Sequence, residues 1–416
     1  MTAEPTTRTA PNAPRTAPGT GRRRALRAAV AAAVGAGLLA ALAPAAAART
    51  AADTLARQAD RQVDWQAADA ALAGMTDPGY STSALGAVRL DGRLAWRNAT
   101  GVAELATDRP ADPRGAFRIG SATKTFVATA LLQLVGEHRL NLDDHLESLL
   151  PGAVPNSNAI TVRQLLNHTS GVADYTQDPA FDFSDQWLNG GRYTSYRLRD
   201  LVDIANKYPP AFAPGQDWQY SNTNYILIGM IIEKLTGHSW TDEVTRRIIR
   251  PLRLANTRMP GDFPFIPGPH AHAYVKSATG PVDVTTLNPS MAGSAGGGIS
   301  TTADLTAFLD ALLGGRLLRP AELAAMKETT AHGEGRTYGL GLQRLDTSCG
   351  PFWGHAGGIP GYSTMMLASP DGKREFAANT TFYDAPDQDA ANAAWLKVTE
   401  TAVCSTGATG TPNSTP

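Results

Sequence analysis

Ser121 and Lys124 stand three residues apart at the head of a segment whose apolar residues Val127, Leu131, Leu134 and Val135 recur with helical period. Residues i and i+3 share one face of a helix, with Cβ atoms roughly 5–6 Å apart. The hydroxyl and the amine can therefore meet directly. A serine hydroxyl attacks a carbonyl only when a neighbouring base takes its proton, and a lysine removed from water has its pKa lowered toward that role. The spacing reads as a nucleophile and its base. The same spacing also suits a helix start with a solvated lysine, so the reading depends on what accompanies it.

Two polar stretches further along supply that company. Tyr220-Ser221-Asn222 lies in a loop before a helix starting near Asn224. A phenol held near positive charge can lose its proton and carry it from nucleophile to leaving group, and an amide that both donates and accepts suits a substrate amide. His355-Ala356-Gly357-Gly358 follows Trp353-Gly354 in a glycine-rich, strand-like stretch. Such backbone N–H groups, unshielded by side chains, can line half of an oxyanion hole. Leu166–Gly171, with His168, reads as a structural turn. His270 and His272 have no carboxylate or cysteine at ligand spacing, so neither a metal nor another cofactor is expected. G-x-S-x-G and H-E-x-x-H are both absent.

The elements that must position these groups are legible in outline. Ser83–Leu90, the Asp91-Gly92 turn and Arg93–Arg97 form a β-hairpin pattern. Residues 123 to about 250 read mainly helical, including Val162–Asn167 and Tyr225–Leu235 before Gly237. Strand patterns return at Tyr338–Leu342, Gly361–Ala368 and Phe376–Thr381, and Ala390–Cys404 reads as a closing helix. The expected fold is α/β (α+β): an antiparallel sheet built from both chain ends, flanked by helices, with a mostly helical insertion over about 130–290. No internal repeat is present.

Composition excludes several functions. The 416 residues carry a formal net charge of −1. Removing residues 1–48 takes away six arginines and Glu4 and leaves the remainder at about −6. No basic stripe suits a nucleic-acid partner. Arg22-Arg23-Arg24-Ala25-Leu26-Arg27, then an Ala/Val/Leu run from 28 to 43 and alanines to 48, describe a signal peptide over 1–48, with paired arginines hinting at twin-arginine export. A membrane anchor is the competing reading, weakened by Gly35, Gly37 and Pro44. Residues 49–75 are expected to form a lead-in and first helix, 76–404 the body, and 405–416 a disordered tail. A secreted protein with no stable membrane span after cleavage is expected, and a monomer. Cys349 and Cys404 allow one intramolecular pairing, expected to form outside the cytosol.

In chain order, Ser121-x-x-Lys124, Tyr220-x-Asn222 and His355-x-Gly357 resemble the three signature elements of the penicillin-recognising serine hydrolases, class C β-lactamase-like. The resemblance runs from about residue 66 to Cys404 and is nearest to the secreted D-alanyl-D-alanine carboxypeptidases. It implies Ser121 as the acylated nucleophile, Lys124 as its proton partner and Tyr220 as the relay to the leaving amine. Asn222 would hold the acyl-side amide. His355 would add positive charge or a donor near Tyr220, and the N–H groups of Ser121 and Gly358 would form the oxyanion hole. Substrates would be small peptides, esters or β-lactams. The carboxypeptidases place hydroxyl residues where this chain has Ala356 and Gly358, and an arginine near Gln343, with Arg344 next door. Ala356, Gly357 and Gln343 would then contact substrate without gripping a terminal carboxylate. The alternatives are an esterase or D-amino-acid peptidase or amidase with the same residues, and a non-catalytic penicillin-binding module.

Overall fold

The computed structural model describes residues 64–76, 81–277, 280–332, 336–382 and 388–404. The leader expected over 1–48, residues 49–63 of the lead-in and the 405–416 tail lie outside the described residues. Among the described residues, no helix is long and apolar enough to cross a membrane.

A nine-stranded antiparallel sheet organises the chain. Its strands are β1 (Ser81–Leu90), β2 (Arg93–Glu104), β3 (Arg109–Pro110), β4 (Thr330–His332), β5 (Arg336–Tyr338), β6 (Gln343–Thr347), β7 (Gly350–Ile359), β8 (Tyr362–Ala368) and β9 (Arg374–Phe382). Their spatial order is β3-β2-β1-β9-β8-β7-β6-β5-β4. The first and last long strands are neighbours, with Ala84 opposite Thr380 and Val88 opposite Phe376. The sheet is thus built from both chain ends, as expected. Asp91 and Gly92, at φ 49° and 76°, make the expected tight turn between β1 and β2.

Alternation along the strands builds two cores. Ala84, Val88, Leu367 and Phe376 pack with Phe352 and Val398 beneath the terminal helices α1 (Trp65–Ala73) and α5 (Gln388–Cys404). Leu85, Met366 and Ala377 point the other way, into a larger core shared with α2 (Thr123–Gly136), α3 (Asn222–Thr236) and α4 (Thr302–Leu313). Helix α2 is buried on almost every side, Lys124 included. Helix α3 closes on Gly237 at φ 73°.

One strand expectation fails. The stretch Tyr338–Leu342 is not continuous strand: β5 stops at Tyr338 and β6 starts at Gln343. Between them the Gly339 N–H donates to Leu342 O (2.7 Å) and the Leu340 N–H to Met326 O (3.0 Å). The backbone bonds are spent on a turn rather than on a ladder. The Cys349–Cys404 disulfide is formed, Cα–Cα 5.4 Å, and joins the β6–β7 turn to the last residue of α5.

Candidate active site

Ser121 is delivered by a short extended pair and a tight turn. Phe117 and Arg118 pair with Ser300 and Ile299, and residues Gly120–Ala122 form a single 3₁₀ turn that runs into α2. The end of β7 lies directly against this turn. A Cβ on Gly120, whose φ is +50°, would fall 2.6 Å from Gly358 O, and one on Gly357 would collide with Ile119 O. Only glycine permits two backbones to approach this closely. Strand β6 pairs with β7 only as far as Gly354, opposite Gln343. Beyond that point β7 has an open edge beside the serine, where the Ala356 N–H donates to Gln343 Oε1 (3.0 Å).

Lys124 sits beneath Ser121, fully buried. Its Nζ lies 3.1 Å from Ser121 Oγ, 2.7 Å from Asn222 Oδ1 and 2.8 Å from Ala295 O. Burial pulls its pKa down to about 7, partly opposed by the negative charge of Asp174. Near neutrality a large fraction of Lys124 is free amine, able to accept the serine proton.

Tyr220 and Asn222 arrive together at the start of α3. Lys124 Nζ lies 4.8 Å from the Tyr220 ring centre. The phenol is pushed above its usual pKa by burial, with its bond to Ser121 pulling the other way. Its raised pKa keeps Tyr220 protonated at rest, so the relay expected of it starts from the neutral phenol. Asn222 Nδ2 donates to Asp174 (3.0 Å). The stretch expected to be a plain turn braces this loop, because His168 Nδ1 accepts from the Ser221 N–H (3.2 Å) and its ring lies 4.3 Å from that of Tyr220.

His355 differs from expectation. It is buried, with Nε2 2.8 Å from the Tyr338 hydroxyl and Nδ1 bonded to Ala356 O. Burial, helped by the nearby Lys124 charge, lowers its pKa to about 3. A neutral imidazole brings no positive charge to Tyr220, whose ring centre is 6.5 Å away. Its two nitrogens instead fix the start of the open β7 edge.

These groups share one cleft of about 660 Å³, lined by Ser121, Tyr220, Gln343 and His355 through Gly358, and extending to α5. Among the described residues, no Asp, Glu, Lys or Arg side chain lines it. Arg344 points elsewhere and pairs with Asp346 at 2.8 Å. The structure thus brings Ser121, Lys124, Tyr220, Asn222, His355, Ala356, Gly357, Gly358 and Gln343 to one place, and leaves Cys349 and Cys404 at the far end of the β6–β7 hairpin. Sequence reasoning missed Asp174, Ala295 and Tyr338. Asp174 also accepts from the Thr176 N–H (3.2 Å) as a turn cap, which is the role its local sequence suggests.

Comparison with known proteins agrees with this geometry. Residues 80–400 match the family described as Beta-lactamase. Penicillin-binding protein 4* of Bacillus subtilis (strain 168) is 29% identical over 304 residues, covering 68% of this chain and 64% of that protein. Protein flp of Staphylococcus aureus (strain N315) is 34% identical over 152 residues, 35% of this chain and 28% of that one. The chain thus spans less than two thirds of these curated relatives. Among solved structures, a D-stereospecific amidohydrolase from Streptomyces sp. is 41% identical with a TM-score of 0.75, covering 82% of this chain and 99% of that one. The D-amino acid amidase of Ochrobactrum anthropi SV3, complexed with L-phenylalanine amide, is 28% identical with a TM-score of 0.70, covering 80% and 98%. On the extent of the family match, supported by the shared fold, the chain belongs to the beta-lactamase family.

Proposed function

We propose that this chain is an exported serine amidohydrolase that works through an acyl-enzyme on Ser121 and prefers amides of D-amino acids whose leaving group carries no carboxylate. The observation that carries the reading is the pairing of Ser121 with a buried Lys124 in a cleft whose described lining holds no cation. A site built to hold a terminal carboxylate needs a charged or multiply donating partner for it. Here Gln343 occupies the Ala356 N–H with its own oxygen, and Arg344 is committed to Asp346. The likeness to a D-stereospecific amidohydrolase supports the same choice over the carboxypeptidase-like reading. The disulfide supports export, since such bonds persist in oxidising compartments.

In the proposed chemistry, free Lys124 amine takes the Ser121 proton as Oγ bonds to the amide carbon. The resulting oxyanion accepts from the N–H groups of Ser121 and Gly358. Tyr220 gives its proton to the departing nitrogen as the C–N bond breaks, and Lys124 returns a proton to the phenolate. Water then repeats the sequence on the ester. The opposed shifts of Lys124 and Tyr220 suit a base and an acid working in one site.

The test is a kcat/KM panel: D-alaninamide, p-nitrophenyl acetate and acetyl-D-alanyl-D-alanine, with mass spectrometry for an adduct on Ser121. The amide is expected to exceed the carboxylate-terminated peptide, and Ser121→Ala to abolish turnover and adduct. The opposite ranking restores the carboxypeptidase reading. A folded protein that forms no adduct with activated esters or β-lactams overturns catalysis.

A further inference from the structure

Helix α5 presents a core face and a cleft face, with Trp395 packed against the core at the border between them. Val398, Ala402 and Val403 point into the core beneath the sheet. Asn392, Trp395, Leu396 and Thr399 follow the i, i+3, i+4, i+7 spacing of a single face, and all four line the cleft that holds Ser121. Leu396 is 56% exposed, a large apolar side chain turned toward open space. Leu345 of β6 and Met365 of β8, partly buried against the same core cluster as Trp395, also line the cleft. Met365 pairs with Ala356 and Gln343 with Gly354. The apolar patch is therefore continuous with the open β7 edge at the His355 end, the end that approaches Tyr220.

We propose that Leu345, Met365, Trp395 and Leu396 form a specificity subsite for an uncharged apolar group, aromatic or branched aliphatic, on the leaving amine. This rests on the acyl-enzyme reading above and names its substrate class further. Three features favour the assignment. The cleft volume falls within the roughly 300–1,000 Å³ of small-ligand sites. Met365 pairs with Ala356 next to His355, whose ring lies 6.5 Å from that of Tyr220, the proposed proton donor to the leaving nitrogen. Its wall is also held in place: Cys404 at the end of α5 is bonded to Cys349 in the β6–β7 turn, and Glu400 accepts from the Ser348 N–H (3.0 Å). The helix face and the hairpin are fixed against each other before substrate arrives, which limits the ordering cost of binding.

The experiment compares D-alanine methylamide with D-alanine phenethylamide, whose leaving amines are chemically alike, alongside the matching methyl and phenethyl esters. The wild-type protein is expected to favour phenethyl over methyl by roughly 10-fold or more in kcat/KM, and Trp395→Ala and Leu396→Ser to bring that ratio toward one. A merely structural loss lowers both substrates and leaves the ratio intact. Equal use of the two amides by the wild type, or a ratio unchanged in both variants, overturns the subsite while the amidase reading stands. Cleavage of esters but of neither amide overturns the amidase reading, and the ester pair then decides the subsite. Cleavage of nothing overturns both.

Discussion

The amide of Asn222 is gripped from both ends: Nδ2 donates to Asp174 at 3.0 Å, and Oδ1 faces Lys124 Nζ at 2.7 Å. Asp174 thus decides which end of the amide meets the lysine, and its charge raises the Lys124 pKa against burial. Asp174→Asn frees the amide to turn and removes the charge. We expect kcat/KM to fall at least about 10-fold, an effect sized for a positioning group. We also expect the acidic limb of its pH profile to move to lower pH, because less stabilised ammonium loses its proton earlier. A limb that stays in place would show that Asp174 acts only as a turn cap.

With Lys124 as the proposed base and its pKa drawn down to about 7 by burial, activity should rise as pH passes upward through about 7. The usual titration of a histidine should be missing, because His355 stays neutral until about pH 3. Following the imidazole signals by NMR between pH 5 and 9 checks the second point. A His355 signal that titrates near 6.5 would restore the expected positive charge beside Tyr220.

Gly357→Ala tests the contact of β7 with the serine turn. The added methyl would collide with Ile119 O, so the strand and the turn must part. Separating the N–H groups of Ser121 and Gly358 should cost about 3 kcal/mol of transition-state stabilisation, so turnover should slow by about two orders of magnitude. Folding, followed by circular dichroism, should survive. An active variant would place the oxyanion donors elsewhere.

Glu375 predicts a pH-dependent stability. It is fully buried opposite Arg89, and neither carboxylate oxygen has a hydrogen-bond partner among the described residues. Burial, with the charge of Asp310, raises its pKa to about 8. An unfolded chain releases this proton near the ordinary value of about 4.3. Between these values the folded protein holds the extra proton, so its stability should fall as pH rises from about 5 to 8 and then level. Glu375→Gln should shrink the difference in Tm between pH 5.5 and pH 8. An unchanged difference would assign the slope to other groups.

Much of this site could be read from the chain because its parts are local. Ser121 and Lys124 meet through helical spacing, the Asp91-Gly92 turn dictates its hairpin, and Gly357 is informative by lacking a side chain. The fold was legible for the same reason, since alternation and period report which faces are buried. Asp174 and Ala295 were not legible: their contacts with Asn222 and Lys124 cross stretches of chain that no local pattern connects. The neutrality of His355 and the upward shift of the Tyr220 phenol were also hidden. Both follow from desolvation, which depends on everything packed around a group and not on its neighbours in sequence. Ala390–Cys404 was legible as a closing helix, but only three-dimensional placement shows that Asn392, Trp395, Leu396 and Thr399 border the cleft of Ser121.

The pairing of β1 with β9 carries a cost in time. Ser83 donates its N–H to Thr381 Oγ1, 298 residues away, so the middle of the platform closes only after nearly the whole polypeptide has been made. Long loops must shut before that contact gives any return, which slows folding and leaves early strands unpaired. A product ending short of Arg374 would carry Ser121 and Lys124 yet lack the partner that seats β8, and through it the edge at Gly358. The reactive residues come early in the chain, and the strand that completes their platform comes almost last.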